Sequence, residues 1–157
     1  MSIGNANFTP KDGRPAPAVG DRVRVYRNLP LFKHRVFSIL AMDGPYKGLV
    51  LGYSRSVGLE RVKFIVSEAT RQKVLKGNRT VHAYAEGFIV GMSSTLPFAA
   101  SGEMARKVTY NPYLAGHFYD RDNPDTPMIN CRQIWTWGSD LIILEQVGTE
   151  TQEQEAA

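Results

Sequence analysis

Residues 61–87 read RVKFIVSEATRQKVLKGNRTVHAYAEG, and this stretch combines the two periodicities of regular secondary structure. Apolar residues occupy every second position near both of its ends, at Val62, Phe64 and Val66 and again at Val81, Ala83 and Ala85. Such alternation predicts strands with one buried face, although Ile65 is an apolar exception on the polar side. The stretch therefore predicts a strand, an interruption and a second strand.

The interruption has the features of a short helix at 68–76. Ser67 can accept a hydrogen bond from the free amides of a first turn, and Gly77 suits a left-handed stop. An isolated helix of this length is marginal in water, so we expect Ala69, Val74 and Leu75 to dock on a sheet. It is the one helix that the sequence predicts.

Strand patterns recur outward from this stretch, and together they predict about eight strands, at 21–27, 35–42, 47–53, 61–66, 80–90, 106–110, 129–137 and 140–145. Gly138 and Ser139 between the last two favour a two-residue hairpin. We predict a mainly β (α+β) fold: a single small β-barrel or sandwich of about eight strands with one short helix.

One globular domain is predicted at 20–145, since 157 residues of which 43% are hydrophobic fit a single core. Residues 1–19 are rich in Gly, Asn and Pro and predict a flexible arm, and 146–157 predict a disordered acidic tail. No run of eighteen apolar residues and no signal-peptide pattern occur, so no membrane association is expected. The 92–105 stretch lacks a period and predicts a long loop.

The net charge of +4 conceals an uneven distribution. Residues 20–107 hold fifteen Lys and Arg against six Asp and Glu, whereas the residues from Glu145 onward hold four Glu and no cation. A basic surplus of this size attracts phosphate-bearing partners, although it can also serve solubility alone. The basic half predicts a nucleic acid or a nucleotide as partner.

No catalytic or cofactor signature is present in the sequence, and we predict neither a cofactor nor a metal. The histidines at 34, 82 and 117 are far apart, and DRDNPD at 120–125 lacks the Gly and Glu of a calcium loop. Cys131, the single cysteine, cannot form an internal disulfide and reads as a half-buried thiol in a reducing cytoplasm.

Basic, amide and aromatic side chains recur together near the ends of predicted strands and on the helix. Guanidinium groups match phosphate oxygens, an Asn amide can read a base or ribose edge, and a Tyr ring can stack on a base. Such side chains also commonly lie over a core as plain surface residues. The candidate ligand-binding residues are Tyr26, Arg27, Asn28, Arg71, Arg79, His82, Tyr110, Asn111 and Tyr113. Trp135 and Trp137 share one face of a strand and predict a core position or a homo-oligomer interface.

Several of these motifs resemble a group of small proteins encoded by bacteriophages, prophages and plasmids. The similar runs are VRVYRNL at 23–29, FSI at 37–39, VKFIVSEATRQKVL at 62–75, NRTVHAYAEG at 78–87 and VTYNPY at 108–113. The resemblance implies a mobile-element origin and a bacterial host cytoplasm, and it implies no particular reaction. All the candidate residues lie within these runs.

Three functions remain open from the sequence. The first is a non-enzymatic accessory protein that binds a phosphorylated ligand, for example by sequestering a nucleotide used in host defence. The second is a protein-interaction or virion module that contacts a host protein or its own copies. The third is an enzyme acting on a phosphate-bearing substrate, with His82 as general acid or base.

Overall fold

A computed structural model of the protein describes residues 8–27, 37–78, 80–92, 106–137 and 140–143. These residues form eleven strands and one helix: β1 Phe8–Pro10, β2 Arg22–Arg27, β3 Phe37–Ala41, β4 Val50–Ser54, β5 Val57–Val66, α1 Glu68–Leu75, β6 Ala83–Met92, β7 Arg106–Thr109, β8 Phe118–Asp120, β9 Asn123–Met128, β10 Asn130–Trp137 and β11 Asp140–Ile143. A mainly β fold with one short helix is therefore confirmed.

All strands belong to one antiparallel sheet with the order β1-β4-β3-β2-β6-β5-β10-β11-β7-β8-β9. In the described part of the chain, β1 and β9 each pair with one neighbour and not with each other, so the sheet is open. Of the two predicted architectures, a barrel or a sandwich, the barrel is not formed, because each end strand of the described sheet keeps an unpaired edge. All eight predicted strands are present, and β10 and β11 pair as the predicted hairpin, with Trp137 opposite Asp140.

The open sheet curls until its two ends share one core. Strands β5 and β8 are four places apart in the order, which would separate them by roughly 19 Å in a flat sheet. The ring centroids of Phe64 and Phe118 on these strands are nevertheless 5.0 Å apart. One continuous core results, to which both halves of the sheet contribute, including Val25, Ile39, Leu59, Ile89, Val108, Ile134 and Ile143.

Two register shifts bend the long pair formed by β5 and β6, and one lies between Glu60 and Lys63. Leu59 and Val62 are both fully buried although they are three residues apart, which uninterrupted alternation does not allow. The extra residue is accommodated at Arg61, whose φ of 52° lies in the left-handed region. The strand predicted at 61–66 thus extends back to Val57 through this bulge.

The helix has the predicted caps. The Ser67 side chain accepts a hydrogen bond from the Thr70 amide at 3.4 Å, and Gly77 ends the helix with a φ of 104°. Of the three residues expected to dock, Val74 is buried, whereas Ala69 and Leu75 are exposed. Neighbouring residues on a helix point about 100° apart, so a helix that touches the sheet along one line buries Val74 without Leu75. No helix in the described segments is long and apolar enough to cross a membrane.

Three short strands, β1, β8 and β9, lie outside the predicted set. Within the arm predicted at 1–19, residues 8–10 pair with β4, and the Phe8 ring packs where a side chain on Gly52 would stand. Strand β9 reads NPDTPM, and its two prolines suit an edge because proline cannot donate to a strand ladder. Of the loop predicted at 92–105, Met92 instead ends β6, and residues 93–105 lie outside the described residues, as does the tail predicted at 146–157.

Gly87 lies opposite the β5 bulge, and the structure allows no side chain there. A Cβ at this position would stand 2.9 Å from the Glu60 carbonyl oxygen and 3.2 Å from the Leu59 Cβ. We expect Gly87→Ala to lower the free energy of unfolding by about 1–3 kcal/mol, because the backbone of the bulge must move. Equilibrium urea unfolding measures this loss.

Gly91→Ala is the matched control for that experiment. It lies on the same strand, but its Cβ would meet only the Trp135 ring, at an ordinary 3.5 Å. Equal stability losses for the two variants would contradict the role assigned to the bulge.

Candidate functional site

A cleft of about 1300 Å³ opens where the two halves of the curled sheet diverge. Its walls come from the end of β2, the residues before β6, the C-terminal end of α1 and the 110–113 segment after β7. Its floor is apolar and is formed by core residues that include Phe37, Ala85, Val108, Phe118 and Leu141. The cleft is therefore the open mouth of the hydrophobic core.

Six of the nine candidate ligand-binding residues line this one cleft: Tyr26, Arg27, His82, Tyr110, Asn111 and Tyr113. Arg71 lies beside it on α1. Asn28 and Arg79 lie outside the described residues. The structure thus brings together residues that are up to 87 positions apart in the chain, and their role in ligand binding stays a prediction.

Strand register explains how Arg27 reaches the cleft. Val23, Val25 and Arg27 occupy alternate positions of β2 and so share its inner face. The two valines are buried in the core, whereas Arg27 lies at the rim and is exposed. Tyr26 borders the cleft beside Arg27, but by strand alternation its side chain belongs to the opposite face of β2. It pairs with Ser38, and burial raises the pKa of its hydroxyl.

His82 and Tyr110 form the polar wall of the cleft. The His82 Nδ1 lies 3.2 Å from the Thr80 carbonyl oxygen, which can only accept, so this nitrogen carries the proton. In the neutral ring Nε2 then accepts from the Tyr110 hydroxyl, at 2.8 Å. The two rings meet edge to face, with centroids 5.3 Å apart.

Burial raises the pKa of Tyr110 to about 12, although the Arg71 guanidinium acts in the opposite direction. The Glu68 carboxylate raises it further. Tyr110 is therefore neutral at physiological pH and presents a hydroxyl, not a phenolate, to the cleft. This favours hydrogen bonding over nucleophilic or basic chemistry at that oxygen.

Arg71 fastens the helix to the segment that carries the cleft tyrosines. Its Nε donates to the Pro112 carbonyl oxygen at 3.1 Å, and its NH1 group lies 3.1 Å from a Glu68 oxygen. The side chain is 18% exposed and packs against Gly116, where a Cβ would stand 3.2 Å from NH1. Much of its hydrogen-bonding capacity is thus used within the chain.

The 111–113 turn presents an aromatic ring to solvent. Asn111 accepts a hydrogen bond from the Tyr113 amide through Oδ1, at 2.8 Å, which is an Asx turn. Tyr113 is 70% exposed. Its ring is available for stacking, while the Asn111 side-chain oxygen is already engaged.

Of the two tryptophans predicted to share a strand face, Trp135 and Trp137, the first packs within the chain. Trp135 is 8% exposed, and its ring lies over Gly58, where a Cβ would stand 2.4 Å from it. The side chain of Trp137 lies outside the described part of the structure. An oligomer through these residues stays a prediction, and the Trp135 ring contributes little exposed surface to it.

Sequence reasoning missed the apolar floor and a second group of cations. Phe37, Val108 and Phe118 are ordinary strand residues in the sequence, and only the curl of the sheet places them under one cleft. Arg22, Arg24, Arg61 and Lys63 were visible as polar members of alternating strands, but nothing in the alternation set them next to one another. In the described segments, no three His, Cys, Asp or Glu side chains are placed to hold a metal ion.

Comparison with known proteins identifies the family. The protein-family model described as Mycobacterium phage L5 gene 82 protein matches residues 16–135. This range contains every candidate ligand-binding residue. The chain belongs to this family. The Gene 82 protein of Mycobacterium phage L5 is 33% identical over 122 residues, which cover 73% of this chain and 88% of that protein. No solved structure matches this chain.

The family assignment confirms the predicted resemblance to phage-encoded proteins. The likeness of the individual short motifs stays a prediction. The matched range includes β2 to β9 and most of β10, so the cleft residues of this gene 82 family protein belong to the shared domain, with the exception of Leu141 on β11.

The raised pKa of Tyr110 predicts a specific loss of stability at alkaline pH. The pKa of Tyr110 is about 12 in the folded protein, against an ordinary value of 10.0. The neutral Tyr110 hydroxyl therefore contributes fully to the free energy of unfolding below pH 10, and this contribution is lost as the pH rises toward 12. We expect Tyr110→Phe to show a smaller fall in unfolding free energy between pH 9.5 and 11.5 than the unsubstituted protein. Urea unfolding at the two pH values measures the difference.

Tyr113→Phe is the control, because the Tyr113 ring is mostly exposed. This substitution removes the same kind of hydroxyl group from a solvated position. A Tyr110→Phe protein that loses as much stability over this range as Tyr113→Phe would refute the assignment.

Proposed function

We propose that this gene 82 family protein is a non-enzymatic phage accessory factor that binds a phosphorylated ligand of the nucleotide class in its cleft, in the host cytoplasm. The observation that supports it is the gathering of Arg27, His82, Tyr110, Asn111 and Tyr113 around one cleft with an apolar floor. These groups supply one cation, hydrogen-bonding partners and aromatic rings. Such a combination suits a phosphate, a ribose and a base, respectively.

The size of the cleft favours a small nucleotide over a nucleic-acid duplex. Small-molecule sites usually occupy about 300–1,000 Å³ and are mostly apolar with a few polar groups. At about 1300 Å³ and open to solvent, the cleft exceeds a mononucleotide and would also accept a dinucleotide-sized ligand. A double helix, by contrast, keeps its bases paired and shows only their edges, in grooves about 12 Å and 6 Å wide, so it does not place a base in a recess of this kind.

The placement of the charged and aromatic groups suggests how the ligand lies. Arg27 stands at the rim on the inner face of β2, where its guanidinium can meet a phosphate. Tyr113 offers an exposed ring on the wall formed by the 110–113 segment, and a base can stack on it. The apolar floor would then lie under the sugar and the base, which suits their less polar faces.

The engagement of His82 supports binding rather than turnover. Both ring nitrogens are within hydrogen-bond distance of protein groups, Nδ1 of the Thr80 carbonyl and Nε2 of the Tyr110 hydroxyl. A general acid or base must instead have a nitrogen within reach of the reacting atoms. The geometry thus favours His82 as a positioning residue for Tyr110.

The test has two steps. The protein is first purified gently and denatured, and any released nucleotide is identified by mass spectrometry. The ligand-free protein is then titrated by calorimetry with ribonucleoside mono-, di- and triphosphates and with cyclic nucleotides. We expect Arg27→Gln to weaken binding by about tenfold to a hundredfold, the usual loss for a hydrogen bond to a charged group.

Lys47→Gln removes the same charge from the exposed turn between β3 and β4 and serves as the control. It should bind within twofold of the unsubstituted protein. A preparation that releases no nucleotide and binds none at millimolar concentration would contradict the proposal. Conversion of a bound nucleotide during the titration would contradict its non-enzymatic part.

A further inference from the structure

A second surface lies on the side of the central strands that faces away from the core, and Tyr84 alone among its members named below also borders the cleft. Here β2, β6 and β5 run side by side, and the strand register sets Arg24 opposite Glu86 and Glu86 opposite Lys63. Residues in such register project from the same face of a sheet. We call this surface the outer face, and its polar and aromatic members are Arg22, Arg24, Glu60, Arg61, Lys63, Tyr84, Glu86 and Phe88.

Two arginines of the outer face are stacked on aromatic rings. The guanidinium carbon of Arg24 lies 4.4 Å from the centroid of the Tyr84 ring, and that of Arg61 lies 4.0 Å from the Phe88 ring. Stacking fixes the plane of a guanidinium and leaves its second flat side open. The Nε of Arg24 is buried and lies 3.5 Å from a Glu86 oxygen, so a ligand would meet the rest of this side chain, which is 36% exposed. Both groups are therefore ordered in advance for a further planar or anionic partner.

Arg61 is held in this position by an unfavourable backbone. Its φ of 52° is uncommon for any residue other than Gly, and it occurs at the bulge between Glu60 and Lys63. The Arg61 side chain is nevertheless 69% exposed, so no buried packing rewards the strained conformation. Strain of this kind at an exposed position points to a functional role for the side chain.

The charge of the outer face is positive after its internal ion pairs are taken into account. Glu86 binds Arg22 at 2.6 Å and lies 3.5 Å from Arg24, and the two cations outweigh burial and hold the pKa of this carboxyl below its usual value. The hydrogen bond and the charge of Glu86 raise the pKa of Arg22, and the Asp43 carboxylate adds a smaller effect in the same direction. Arg61 and Lys63 are both exposed. Glu60 lies 3.9 Å from Arg61, and Glu86, which already binds Arg22, stands opposite Lys63 in the strand register.

We propose that the outer face binds single-stranded nucleic acid, with phosphates on the edges of Arg24, Arg61 and Lys63 and bases against the stacked guanidinium planes and rings. Arg24 and Arg61 lie on either side of β6, two strand spacings or roughly 10 Å apart. A sheet face of this kind lets splayed bases stack, and alternating cations and aromatic rings are typical of single-strand binding. A duplex would keep its bases stacked and out of reach of this face.

The first experiment measures fluorescence anisotropy of the full chain with labelled (dT)20, (rU)20 and a 20-base-pair duplex at several salt concentrations. We expect both single strands to bind more tightly than the duplex. Removing one phosphate contact lowers the slope of log K against log salt by about 0.7, which corresponds to about eightfold weaker binding at 50 mM salt. Arg61→Gln and Lys63→Gln should each show this loss, and Lys47→Gln should stay within twofold.

Arg61→Gly separates binding from folding. Glycine adopts a φ near 52° without strain, so this variant should be at least as stable as the unsubstituted protein in urea unfolding and yet bind the strands as weakly as Arg61→Gln. Unchanged binding by Arg61→Gly, or equal affinity for duplex and single strands, would overturn the proposal. A preference between (dT)20 and (rU)20 shows which single strand the face takes, and failure to bind either at 50 mM salt would also overturn it.

Binding at the outer face and binding in the cleft can be tested independently. Arg27→Gln should leave oligonucleotide binding within twofold, and Arg61→Gln should leave the calorimetric binding of nucleotides within twofold. Loss of oligonucleotide binding in Arg27→Gln would assign the strand to the cleft and overturn the outer face as its site.

Discussion

The contact between Phe64 and Phe118 is the interaction on which the rest of this structure depends. These rings lie 5.0 Å apart on strands that are four places apart in the sheet, so the contact exists only because the sheet curls. Tyr110 packs on Phe118 at 5.2 Å, and His82 packs on Tyr110 at 5.3 Å. A row of four rings thus leads from the core to the wall of the cleft, and the position of each ring depends on the one before it.

Because the sheet curls, one side of the central strands faces the core and the other faces solvent. On the inner side, Val23, Val25 and Ala85 are buried in the core. The cleft lies at the solvent-accessible edge of this core. On the outer side, the alternate residues of the same strands include cations, two glutamates and aromatic rings. One period-two pattern therefore supplies both the apolar floor of the cleft and the charged surface behind it.

The chain belongs to the Mycobacterium phage L5 gene 82 protein family, whose model matches residues 16–135. The features that set this chain apart as a candidate binder are local and physical. Tyr110 is held neutral by burial, Arg71 is occupied in fastening α1 to the 110–113 segment, and Arg27 stands at the rim as an exposed cation. The roles of the three differ, although the sequence presents all of them as similar polar positions.

The local structure can be predicted from the amino-acid sequence: the eight strands with clear alternation, the caps of α1 at Ser67 and Gly77, and the hairpin of β10 and β11. Each of these depends on residues within about ten positions of one another, which is the range over which periodicity and capping act. The strand order, the open sheet, the bulge at Arg61 and the cleft follow instead from tertiary packing. These depend on contacts between distant segments, such as Phe64 with Phe118 and Glu60 with Gly87, and no local pattern records which strand will pack on which.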